Sequence, residues 1–298
     1  MSVNLNQPAN ISADERALIA ERKATCPFIG SAVAQGLLAV LNNADNPLAG
    51  IEEVRRLGNA GGGDLGDVLV LFASGNHAFM MGESGKLDRT APAGLFSLEF
   101  PGSQGSHAGH SGILEADPKT PGSGRLSQAD FARLTDRARD GWISRSDVGR
   151  FIAENLITDP HSRVFDTNTA ALLATDSLQF VETAGAALMS KLFGSGEEAS
   201  KAHRETEEKL TKLLGADNLV GSSGEFGLLV SFLVNKPGTR KVDGEPAVAV
   251  EDLTAMFVDK RLPDGWETWK KTRLDWVINT TGLLISAGKE YWNLKKSR

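Results

Sequence analysis

The sequence predicts a mostly α-helical protein forming a single domain over residues 1–298, and three observations carry this. Apolar residues recur at helical spacing in segment after segment, strand-type alternation is nearly absent, and no linker or internal repeat divides the chain. With 41% hydrophobic residues, it can bury a substantial core.

The elements follow in order. Ser12-Ala-Asp-Glu15 has the form of a capping box and opens a short helix through about Lys23. After Pro27, the positions Ile29, Val33, Leu37, Leu38 and Leu41 keep helical spacing until "NNADNP" ends them. Ile51 to Leu57 is a short helix that "NAGGGDLG" breaks, and Asp67 to Met81 is the most apolar stretch, a buried helix. Between Gly82 and Gly124 the texture turns to Gly, Ser, Pro and His with little periodicity, a long loop region of the kind that carries function. Helices resume over Ser127–Arg137, Ser144–Asn155, Thr167–Phe193, Glu197–Leu214, Gly224–Val234 and Val250–Val258, and "RLPDGW" stops the series. Trp266, Trp269 and Trp276 are spaced for packing.

Composition excludes several classes. A net charge of −6 with Lys and Arg scattered among acids leaves no basic stripe for nucleic acid. The longest apolar run, Val68 to Ala73, is far short of the roughly 20 residues a membrane span needs. The polar N-terminus shows no secretory pattern, and one cysteine makes no intrachain disulfide. A cytoplasmic protein is expected.

That cysteine, Cys26, precedes Pro27 and a helix. Proline suits the first helical turn, so Cys26 falls at the helix N-cap, where unpaired amides and the dipole lower a thiol pKa. A thiolate there is a nucleophile or an iron ligand; the alternative is a small buried hydrophobe. Glu225 is the second anomaly, a single carboxylate opening the apolar run Phe226, Leu228, Leu229, Val230 and Phe232. Burial there raises its pKa toward that of a general acid–base, or else it is only a dipole-favoured carboxylate at a helix start.

"TCPFIGSAVAQGLL" around Cys26, "GEFGLLVSFLV" from Gly224 and "VEDLTAMFVDKRLPDGWE" from Val250 resemble, in this order, the motifs of the heme-thiolate peroxidases, the chloroperoxidase and unspecific peroxygenase family. In the second and third of these the resemblance rests on Glu225, Phe257, Asp259, Lys260, Arg261, Leu262, Pro263, Gly265 and Trp266; Ala34-Gln35-Gly36 stands where the family has an "ANHG"-like stretch. The resemblance implies a chloroperoxidase-like helical domain around a pocket for heme b. Cys26, with Pro27 and Phe28, would hold the iron from the proximal side, and Phe226 and Leu229 would line the pocket. Glu225 would be the distal acid–base. Hydrogen peroxide would be the oxidant and small apolar or aromatic molecules the substrates.

The family also carries a Glu-His-Asp followed by Ser and "SRxD", which holds a cation near a heme propionate. In "RDGWISRSD", Asp140, Ile143, Ser144, Arg145 and Asp147 are in register, while Ala138, Arg139 and Trp142 replace the Glu, His and Ser. Arg139 thus becomes the candidate that positions Glu225, and Asp140 the candidate ligand for Mg²⁺ or Ca²⁺. The same residues also fit a degenerate EF-hand loop, with Ala138 at the third position of the loop and Asp147 in place of the closing glutamate.

Residues 107–155, about a sixth of the chain, are similar to caleosins, His-ligated heme peroxygenases, through "HAGHSGI", "GRLSQADFARL" and "ISRSDVGRFIAEN". That similarity makes His107 and His110 alternative heme ligands. His77 is a further candidate for the pocket wall. A third reading is a non-catalytic heme-binding or scaffold protein with a decayed EF-hand. A second copy of the chain is a candidate partner.

Overall fold

A computed structural model describes residues 8–24, 26–69, 95–98, 113–115, 125–158, 164 and 218–298. Helix α1 (Ala13–Arg22) starts at the expected capping box, Ser12 accepting from the Glu15 amide at 3.2 Å while Glu15 accepts from the Ser12 amide at 2.8 Å. Helix α2 (Pro27–Ala34) begins with Cys26 as N-cap and Pro27 as first helical residue. It stops earlier than its apolar spacing predicts. Gly36 takes φ 71°, Leu37 donates back to Ala32 O at 2.9 Å and Gly36 to Val33 O at 3.0 Å, closing the helix in a Schellman turn. Leu41 therefore lies in a strand, β1 (Leu41–Asn42), antiparallel to β2 (Pro47–Gly50), which pairs with β3 (Leu95–Ser97).

Helix α3 (Ile51–Gly58) follows β2 directly. A short pair, β4 (Leu114–Glu115) and β5 (Arg125–Leu126), precedes α4 (Gln128–Thr135), which Ser127 caps. Strand β6 (Trp142–Ser144) runs into α5 (Arg145–Thr158). Then come α6 (Asn218–Leu233), the hairpin β7 (Lys241–Val242) and β8 (Glu245–Ala249), and α7 (Val250–Phe257). Strand β8 lies between β6 and β7. The described part is mostly helical, as expected, but short strands join its loops in pairs only a few residues long, too short for alternation to register in sequence. The expected helices over Thr167–Phe193 and Glu197–Leu214, most of Asp67–Met81, and His77, His107 and His110 lie outside the described residues.

The chain does not stop its helices at "RLPDGW". Helix α8 (Arg273–Ser297) follows, capped by Thr272, whose Oγ1 accepts from the Asp275 amide at 3.1 Å. It packs along α5 and α6. Close approach is possible because small residues face one another: a Cβ at Gly149 would collide with Ser286, and one at Gly227 with Thr280. Gly227→Ala should therefore lower stability by about 1–3 kcal/mol in denaturant unfolding. Unchanged stability would mean that the two helices separate freely.

Apolar residues from Ile19 to Tyr291 share one cluster. Trp266, Trp269 and Trp276 are packed into it at 4%, 4% and 8% exposure, so their expected anchoring role holds. Beside them Lys271 is wholly buried. Its Nζ donates to Trp266 O and to Trp269 O, the latter at 2.9 Å, and lies 4.2 Å from the ring centroids of both tryptophans. Burial pushes this ammonium down to about 7, with the Glu267 charge opposing. No helix among the described residues is long and apolar enough to cross a membrane.

Candidate functional site

Three segments far apart in the chain meet around Cys26. The first is the start of α2. Phe28 is turned inward, stacked on Phe232 at 5.0 Å and tilted against Trp266 at 5.3 Å, which fixes the helix against α6 and the tryptophan turn. Ser31 Oγ donates to Met256 O at 3.2 Å and so ties α2 to α7.

The second segment follows α7. Gln35 Oε1 accepts from the Leu262 amide at 2.8 Å, which lays the "DKRLP" stretch along α2. Within it Lys260 adopts φ 51° and is half-buried. The third is α6, where Glu225 is half-buried among buried neighbours. Trp276 Nε1 donates to Gly224 O at 3.1 Å, pinning α8 to the turn that carries Glu225.

Cys26 feels the charges of both Glu225 and Lys260. Burial pushes the Cys26 thiol up to about 11; the amides of Ile29 and Phe28 favour its anion, the Glu225 carboxylate opposes it and the Lys260 ammonium favours it. Lys260 in turn is pushed down by burial, with the charges of Cys26 and Glu21 acting the other way. The expected low-pKa thiolate is thus corrected. The helix-start amides act as predicted but close no capping hydrogen bond, and desolvation beside a carboxylate outweighs them.

The donor chemistry still fits an iron ligand. A coordinating cation takes the place of the thiol proton and removes the cost that burial imposes on the bare anion. Phe28 offers the Cys26 sulfur its backbone amide while its ring is committed to the core, and Leu229 lies one turn along α6 from Glu225. Phe226 packs edge-on to Phe151 at 6.1 Å in the α5–α6 interface.

Arg139 is also placed elsewhere. Its guanidinium bonds Asp147 at 3.2 Å and pairs with Asp243, and Glu225 is not among its partners. Burial would raise the Asp147 carboxyl, but hydrogen bonds from Ser144 and Arg139 hold it below its ordinary value. Asp140 sits exposed at φ 51° in the tip of a tight turn, with Arg139 and Trp142 exchanging backbone hydrogen bonds of 2.8 and 3.0 Å. The Asp140 side chain is exposed at that tip. Among the described residues no group of three or more His, Cys, Asp or Glu side chains could hold a metal ion.

No family model, curated protein or solved structure matches the chain. Two residues of this site carry no role in the sequence alone, Lys260 within "DKRLP" and Trp276 at packing spacing, because one dimension does not show which neighbour each meets.

Proposed function

We propose that the protein is a heme-thiolate peroxidase or peroxygenase, a cytoplasmic helical domain that uses hydrogen peroxide to oxidise or oxygenate small apolar or aromatic molecules. One observation carries the reading: Glu225 and Lys260, from two other segments singled out by resemblance, both lie within electrostatic reach of Cys26. Nothing in local sequence requires that proximity.

Heme, held by the Cys26 sulfur, would supply the two-electron cleavage of the peroxide O–O bond, with the thiolate ligand favouring that cleavage. The chain's own groups do the rest. Cys26 gives up its proton on ligation, so uptake of heme strengthens as pH rises. Lys260 offsets the negative charge that Glu225 brings near the sulfur. Glu225 takes a proton from one peroxide oxygen and returns it to the other, and Leu229 offers the substrate an apolar surface beside it.

The test is the visible spectrum of protein expressed with added heme, reduced and exposed to carbon monoxide, beside that of Cys26→Ala. A strongly red-shifted Soret band, lost in the variant, is the expected result. A colourless protein would return Cys26 to the core, and a band that survives the variant would move the ligand to a histidine.

A further inference from the structure

The loops 136–147 and 241–252 occupy equivalent places in two helix–loop–helix units, α4–α5 and α6–α7. Their strands pair antiparallel, Ile143 opposite Val248. From that pair the chains run alike: each strand leads into a helix whose third residue is an aspartate, Asp147 in α5 and Asp252 in α7. In calcium-binding loops of this architecture the acid at that place closes on the ion from the first turn of the following helix.

Here each aspartate is buried, at 8% and 4% exposure, and each meets a cation of the protein itself. Asp147 accepts from Ser144 Oγ at 2.6 Å and from Arg139 Nη2 at 3.2 Å, with Arg150 at 3.8 Å on its other oxygen. Asp252 is paired with Lys236 Nζ at 2.5 Å. The units are also tied to each other. Arg139 reaches from the first loop to Asp243 in the second, and Glu245 accepts from the Ser146 amide at 3.0 Å with Arg145 at 4.0 Å.

We infer that these loops are a coupled pair built on a calcium-loop plan in which Arg139 and Lys236 stand where a bound cation would be, making the junction between α6 and α7 a permanent, metal-independent clasp. The clasp commits Arg139 to Asp147 and Asp243, away from Glu225. It also bears on the candidate site, since α6 carries Glu225 and α7 leads into Lys260. A buried carboxylate left without its cation is costly, so each pair behaves as a unit in which removing one partner harms more than removing both.

The experiment uses the full chain in two parts. Thermal unfolding of the wild type with excess calcium, with magnesium and with a chelator should give one midpoint. A midpoint that calcium or magnesium raises over the chelator value overturns the clasp, because a loop already holding a cation has no place for another. In the second part Lys236→Met, Asp252→Asn and the double variant are unfolded in denaturant. The double variant should be more stable than the sum of the single losses predicts, by about 3- to 100-fold in the unfolding equilibrium constant. Additive losses would show that Lys236 and Asp252 act independently and would overturn the inference even if the midpoint ignores metal.

Discussion

On the proposed heme-thiolate function, Glu225→Gln is expected to keep the heme spectrum and to lose about 10²–10⁴-fold in turnover with hydrogen peroxide. Glutamine preserves the length of the side chain and its apolar stem, and the turn it occupies is held independently by the Trp276 indole on Gly224 O. What disappears is the group that accepts a proton and gives it back. The loss should therefore fall on the rate at saturating peroxide, while binding of carbon monoxide to the reduced protein changes little. The same substitution removes a carboxylate that disfavours the Cys26 anion, so heme uptake should shift to lower pH in the variant. A variant that turns over peroxide as fast as the wild type, with heme bound in both, would end the acid–base role and favour a heme store.

Lys271→Met will change the pH dependence of stability more than its value at any one pH. The native ammonium is pushed down from 10.5 to about 7, chiefly by burial, so between those values the unfolded chain binds a proton that the folded chain does not. Stability linked to this group is therefore fully present above about 10.5 and is lost as pH falls toward 7. Within that window the wild type should gain on the variant by up to about 1.4 kcal/mol per pH unit, and below it the difference should flatten. The wild type also holds two carbonyls, Trp266 O and Trp269 O, that methionine cannot satisfy, a penalty that does not depend on pH. Denaturant unfolding of both proteins across the window separates the two effects, and a difference that stays level from neutral to alkaline pH would show that Lys271 does not titrate as described.

Both predictions concern residues that differed in how visible they were beforehand. Glu225 stood out because a charge interrupts an apolar helix, a contrast any window of sequence contains. Lys271 showed no such contrast, since "TWKKTR" reads as an exposed basic stretch and only the folding of two tryptophans over one lysine buries it. Arg139 was assigned to Glu225 by its place in a motif, but Asp243, on a hairpin a hundred residues later, claims it. Helix α8 has a legible start in Thr272 and Asp275, but the proline and glycine of "RLPDGW" just before it read as the end of the helical series.

What the sequence determined by itself is short-range. Ser12, Pro27, Ser127 and Thr272 start helices because a side chain or a ring meets backbone groups only a few residues away, and the Asp-Gly turns close for the same reason. The tertiary structure decided the protonation of Cys26, the partner of Arg139 and the burial of Lys271. Each depends on desolvation or on a group brought in from elsewhere in the chain, and the cost of burying a charge is set by everything around it rather than by its neighbours in sequence.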